Sequence, residues 1–332
     1  MNNSILAVVG AYGHTARFVL TQLRARGLTP IAVGRDPERL RGLGDHRVAA
    51  IDDPAALDHA FAGVAAVVNC AGPFADTAAP VAEAALRAGA HYLDIAAEQA
   101  VAIDLLTRFD GPAREAGVVV APSVAFYGGL GDLLATAAMG DWPAADDIQI
   151  AIALDSWLPT EGTRRTITRN AGRHVVYTRG GFAPPSLTPS TLTWRFPDPV
   201  GEQELTELST ADQVTIAHHL RTPRIAVHLN TAPLADLADP TAPEPVPVDD
   251  LGRSAQRFHV DVEVRLGGQR RRASAAGQDI YAVSGPIVAT AVANVLAGRH
   301  TGARTAGQLL TLADLGAEHL TCWDATAQPT CT

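Results

Sequence analysis

Over residues 1–135 short apolar runs alternate with longer stretches whose apolar positions recur at helical spacing. The runs 5–10, 29–35, 47–52, 65–72, 91–96 and 117–123 predict six strands. The segments between them, among them 14–26 and 98–116, predict helices. The strands are apolar throughout rather than alternating, so both faces of their sheet must be covered. That is a parallel sheet between helix layers, an α/β doubly wound Rossmann domain over residues 1–140.

From about residue 145 the period changes from helical to alternating. Runs at 147–154, 173–180, 190–196, 223–230 and 258–277 predict strands, the last a hairpin turning on Gly267 and Gly268. We expect a second, β-rich α+β substrate domain over 141–278, with an antiparallel or mixed sheet. The proline-rich stretch 239–252 reads as a long surface connector, with a lid as the alternative. Residues 285–299 and 305–320 predict helices that return to the first domain, so 279–320 form a third segment. The tail, 321–332, carries no periodicity.

The first strand runs into a glycine turn, Gly10-x-x-Gly13-x-x-Ala16. Gly10 permits a tight exit from the strand, Gly13 lets backbone approach a pyrophosphate, and Ala16 lets the helix pack close. The backbone of Tyr12, Gly13 and His14, with Thr15, would line a phosphate nest at the helix start. Alone the motif is weak. At the head of a strand–helix series it points to a dinucleotide. The end of the second strand chooses among dinucleotides. It reads Gly34-Arg35-Asp36, where an acid for the ribose hydroxyls would be usual. Arg35 suits a 2′-phosphate, with Arg39 one turn on, so NADP(H) is expected. Asp36 keeps the ribose-acid alternative open. Asp52, expected at the end of the third strand, could accept from the adenine amino group. The small residues Cys70, Ala71 and Gly72, with Pro73, would let the chain pass beside the cofactor ribose.

Charge and composition exclude more than they assert. The net charge of −9 argues against a nucleic-acid grip. All 26 basic residues are arginine, so neither a Schiff-base lysine nor a Tyr-x-x-x-Lys pair exists. Cys70, Cys322 and Cys331 are too scattered for a disulfide scaffold or a zinc site, and no metal is expected. The N-terminus reads as a core strand rather than a signal peptide, and no apolar run reaches the roughly 18 residues of a membrane span. A cytoplasmic location and no membrane partner are expected. Exposed sheet edges in the second domain could pair two copies into a homodimer.

Residues 67–74, VVNCAGPF, and the later Gly89, Tyr92, Asp94 and Glu98 resemble the cofactor domain of saccharopine dehydrogenase-like oxidoreductases. Residues 124–135 are similar to that family's glycine-rich segment leading into its second domain. Residues 275–298 resemble the ending of its trans-acting enoyl reductase branch. The resemblance implies an NADP-binding domain and a β-rich substrate domain, and leaves the reaction open. Residues 145–260, where a substrate would be chosen, carry little of it.

A reductase needs an oriented small-molecule substrate and a proton source. Tyr127, following the sixth strand, is the first candidate donor, ahead of His14, Tyr92 and Ser123. Water and an acidic hydroxyl on the substrate are alternatives. The reading is an NADPH-dependent reductase of a polarised double bond, a ketone ahead of an imine or an enoyl thioester. A non-catalytic NADP sensor is the rival class.

Overall fold

The computed structural model describes residues 4–316 and 320–324. Its strands in the first half are β1 (Ile5–Val9), β2 (Thr29–Gly34), β3 (His46–Val48), β4 (Ala66–Asn69), β5 (His91–Asp94) and β6 (Val119–Ala121). The second half adds β7 (Asp147–Leu154), β8 (Val176–Thr178), β9 (Gly181–Ala183), β10 (Thr191–Arg195), β11 (Glu202–Glu207), β12 (Arg224–Asn230), β13 (Arg257–Leu266), β14 (Gln269–Gln278), β15 (Gly302–Ala303) and β16 (Leu320–Asp324). The first helices are α1 (His14–Ala25), α2 (Pro37–Leu40), α3 (Pro54–Phe61), α4 (Phe74–Arg87), α5 (Gln99–Arg108) and α6 (Asp110–Glu115). After them come α7 (Gly131–Met139), α8 (Glu161–Asn170), α9 (Asp212–His219), α10 (Ala232–Ala238), α11 (Ser284–Leu296) and α12 (Ala306–Leu309).

One sheet has the order β15-β6-β5-β4-β1-β2-β3, and every pair in it is parallel. The chain order reverses between β1 and β4. Such a switch point opens a crevice at the carboxyl ends of the strands. The other sheet has the order β10-β11-β12-β7-β13-β14-β16, with β8 and β9 attached through β12. It is mixed, because β12 and β7 are parallel while the remaining pairs are antiparallel. The α/β doubly wound domain with a second, β-rich sheet is thus observed.

Burial explains how the sheets are held. Ala7 and Val9 turn to a cluster with Leu57, Phe61 and Val81 of α3 and α4. Leu6 and Val8 turn the other way, into a cluster that continues through α1, α7 and α11 to Ile150 and Val262 of the second sheet. One continuous core therefore joins both sheets. α11 lies so close to α1 that a Cβ on Gly285 would sit 2.9 Å from the Phe18 backbone. Among the described residues no helix is long and apolar enough to cross a membrane.

Several expectations are corrected. The strand read at 47–52 ends at Val48, because Asp53 caps α3 by accepting from the Ala56 N–H and Pro54 starts that helix. Asp52 consequently lies in an exposed turn rather than at a strand end. The helix read at 98–116 is two helices, α5 and α6, with Pro112 unable to donate across the break. The helix read at 305–320 is only α12 and a short 3₁₀ turn, Leu312–Asp314, each restarted by a capping box on Thr305 and Thr311. The tail begins with a strand: β16 pairs with the free edge of β14, while residues 325–332, including Cys331, lie outside the described residues. The few helices expected in 141–278 are α8, α9 and α10.

Candidate functional site

The crevice begins at the exit of β1. Gly10 has φ +72°, and its N–H and that of Ala11 donate to the Val33 carbonyl at 2.9 and 3.3 Å. A Cβ on Gly10 would lie 2.8 Å from the Ala71 Cα, so the turns after β1 and β4 touch backbone to backbone. Gly13 donates to the Gly10 carbonyl at 2.8 Å and precedes His14 and Thr15, which open α1. No side chain caps α1, so its first-turn N–H groups remain available to an anion.

At the adenine end, the Tyr12 ring lies against Gly34, where any Cβ would meet it at 2.6 Å. The Arg39 guanidinium lies over that ring, 4.1 Å from its centroid. Arg35 is exposed and has no polar partner among the described residues. Asp36 is committed elsewhere. Its carboxylate accepts from the N–H groups of Glu38 (3.0 Å) and Arg39 (3.3 Å) and caps α2.

The turn after β4 is braced from three sides. Asn69 accepts from Ala71 N–H at 3.0 Å, Thr77 donates to the Ala71 carbonyl at 2.6 Å, and Glu98 accepts from Phe74 N–H at 3.0 Å. Burial pushes the Glu98 carboxyl up to about 6. Cys70 follows β4 with its thiol pKa raised well above the usual thiol range by burial, which suits a packing role rather than a nucleophile. Gly72, exposed, faces Thr166 of α8, and Pro73 follows it.

Tyr92 and Asp94 tie strand ends together. The Asp94 carboxylate accepts from Ser123 N–H (2.7 Å), Ala96 N–H (3.0 Å) and the Tyr92 hydroxyl (2.9 Å). Asn69 donates to that same hydroxyl at 3.3 Å. The carboxyl ends of β4, β5 and β6 are thereby linked through one buried network.

The second sheet's connections close the crevice from above. Trp157 stacks on Tyr127 with centroids 5.6 Å apart. The Tyr127 hydroxyl is buried without a partner, and burial raises its pKa well above the phenol range. Tyr281 meets the His14 ring edge-on at 5.2 Å. Burial, and then the Arg17 charge, lower the His14 pKa, so this imidazole is neutral at pH 7. α8 lies across the opening, tied to α4 by the Arg169–Asp76 ion pair at 2.6 Å. Arg164 donates to the carbonyls of Asp239 (3.1 Å) and Ala242 (2.9 Å), and Arg17 to that of Gly252 (2.9 Å). The 239–252 segment thus runs from α8 to α1.

The residues read from the sequence fall into two groups. Gly10, Tyr12, Gly13, His14, Thr15, Cys70, Ala71, Gly72 and Pro73 line the paired turns, with Arg35 at one end and Tyr127 under the second sheet. Asp52 stands apart, exposed in its turn after β3. Tyr281, Trp157 and Thr163 were missed, since their approach depends on contacts across more than a hundred residues.

Residues 6–120 match the saccharopine dehydrogenase NADP binding domain. Saccharopine dehydrogenase (L-Glu forming) from Saccharomyces cerevisiae superposes with TM-score 0.66 at 13% identity, covering 97% of this chain and 99% of the other. The C. glutamicum DAP dehydrogenase in complex with DAP gives TM-score 0.50 at 15% identity, covering 96% and 97%. At these identities the likeness shows the fold. No curated protein matches the sequence. The residues present fit a dinucleotide: two glycine-lined turns in backbone contact, an uncapped helix start and an unpaired arginine beside Gly34. Residues 6–120 therefore carry a saccharopine dehydrogenase-type NADP binding domain, and the cofactor these residues fit is NADP(H).

Proposed function

We propose that the protein is an NADPH-dependent reductase acting on a polarised double bond, a ketone, in a small or mid-sized uncharged metabolite. The observation that carries the cofactor preference is the unpaired Arg35 beside Gly34, with Asp36 already spent on the α2 cap. A guanidinium free at that point can pair with a 2′-phosphate through two parallel hydrogen bonds. Asp36, held in its cap, is poorly free to take ribose hydroxyls. When bound, NADPH supplies a hydride equivalent from its nicotinamide ring.

The walls of the cleft favour an uncharged substrate. Arg17, Arg164, Arg165 and Arg169, on the segments that flank it, are each engaged with a carbonyl or a carboxylate. A substrate carboxylate would have to displace one of those bonds. Trp157 and Tyr127 offer flat apolar surface instead. This favours a ketone over an imine of an amino acid.

The test is fluorescence titration with NADPH and NADH, followed by a panel of ketones, imines and enoyl thioesters. Arg35→Ala should weaken NADPH about 10–100-fold, the worth of one or two charge-assisted hydrogen bonds, and leave NADH nearly unchanged. Equal losses for both dinucleotides would remove Arg35 as the phosphate reader. Tight binding with no turnover on any acceptor would replace the reductase by a cofactor-sensing protein.

A further inference from the structure

Resting on the reductase reading, we propose that Tyr281 is the proton donor of the cleft, with Thr163, held by Thr160, as the hydroxyl relay that refills it. Three observations converge on that hydroxyl. First, it is the hub of a polar cluster in an otherwise aromatic wall. Thr163 Oγ1 lies 2.9 Å from it, and the Trp157 Nε1–H and the Thr160 N–H each point to it at 3.4 Å. Burial raises the Tyr281 pKa, and the N–H groups aimed at its oxygen offset part of that by favouring the phenolate that remains after a proton is given away. Tyr127 offers nothing comparable, because its oxygen is buried and unpartnered.

Second, a chain of hydroxyls leads away from it. Thr163 Oγ1, on a partly exposed residue, lies 3.0 Å from Oγ1 of the buried Thr160, and both belong to the start of α8. Hydroxyls in line can each accept one proton and release another. Third, the backbone before Tyr281 is held in a costly conformation. Asp279 has φ +64° and is fully buried. Its carboxylate accepts from the N–H groups of Ser254 (2.7 Å), Tyr281 (2.9 Å) and Ala282 (3.1 Å). Gln256 accepts from Ile280 N–H at 3.1 Å. Strain that surrounding bonds over-determine is a mark of a side chain held for use. The His14 ring, at the mouth of the dinucleotide turn, touches Tyr281 directly.

The chemistry balances. Reduction of a ketone needs an electron pair with hydrogen at carbon, which comes with the dinucleotide, and a proton at oxygen. The O–H bond of Tyr281 breaks to form the alcohol O–H bond. The phenolate then takes the Thr163 proton, and Thr163, partly exposed and held by its bond to Thr160, takes one from water.

The experiment has a readout without cofactor and one with it. A rapid jump to alkaline pH, followed by tyrosinate absorbance on the cofactor-free protein, should show Tyr281, which burial raises less than Tyr127 and Tyr92, ionising in a faster phase than those two. Tyr281→Phe should remove one tyrosine equivalent from the fast phase. Thr163→Val should move that equivalent to the slow phase, and Thr163→Ser should return it. With NADPH and an active ketone, Tyr281→Phe should lower kcat about 100-fold while NADPH binding stays unchanged. An unchanged fast phase in Tyr281→Phe and Thr163→Val overturns the relay. Full kcat in Tyr281→Phe overturns the donor and leaves the reductase reading standing. No turnover by the native protein sinks that reading and the donor with it.

Discussion

Gly10→Val is expected to abolish NADPH binding and to destabilise the fold by about 2–5 kcal/mol. Two independent penalties add. The position has φ +72°, where a β-branched side chain is strained. A Cβ there would also stand 2.8 Å from the Ala71 Cα, and the atom in the way is backbone, which cannot rotate aside. The turns after β1 and β4 would have to separate. A shift of an ångström in a nest of N–H groups costs about 100-fold. Fluorescence titration and a denaturant melt of native and variant protein check both parts. A variant that melts and binds like the native chain would show that these turns are not where the dinucleotide sits.

Asp94→Ala should cost roughly 3–5 kcal/mol, since it leaves two buried N–H groups and the Tyr92 hydroxyl without their acceptor. The milder Asp94→Asn carries a pH signature. Burial raises this carboxyl to about 6 in the folded chain, against a backdrop of hydrogen bonds that favour the ion. The unfolded chain releases the same proton near pH 3.9. Between those values the folded state holds a proton that the unfolded state has lost. Stability from this group therefore rises as pH falls through about 6, and levels off once the unfolded carboxyl is protonated as well. Melts at pH ~7.5 and pH ~5 should show the native chain gaining about 1–3 kcal/mol on the Asn variant at the lower pH. Buried histidines such as His91, whose pKa burial lowers, act with the opposite sign and cancel in the comparison. A gap independent of pH would mean that Asp94 is ionised throughout.

What could be read from the sequence follows from where the free energy is local. The strands of the first sheet are apolar on both faces, so each carries its own signature whatever it packs against. The hairpin β13–β14 was legible for a similar reason, since its alternation and paired glycines act within twenty residues. α8 was not legible. It is polar and largely exposed, with no apolar stripe, and Thr160 as its cap is the only local sign. The two residues of β15 hold a strand only because β6 offers a parallel partner. β16 is held by its antiparallel pairing with β14 at the edge of that sheet.

The cleft divides in the same way. The glycine turn, Arg35 and the small residues after β4 are contiguous motifs, because a phosphate nest is built from neighbouring N–H groups. That Asp36 is occupied by capping, and that Asp52 faces solvent, are outcomes of helix starts one or three residues away. The opposite wall obeys no short spacing. His14, the 157–163 stretch with Trp157 and Thr163, and Tyr281 come from three separate segments and meet only because a continuous core clamps the second sheet and α11 onto α1. By itself the sequence determined the doubly wound domain that carries the NADP-binding match, its cofactor class and the glycine turn after β1, since those depend on local backbone conformation. Which groups gather around the Tyr281 hydroxyl, and which arginines are already engaged, was decided by tertiary packing, because hydrogen-bond partners distant in sequence are chosen only when the two sheets close.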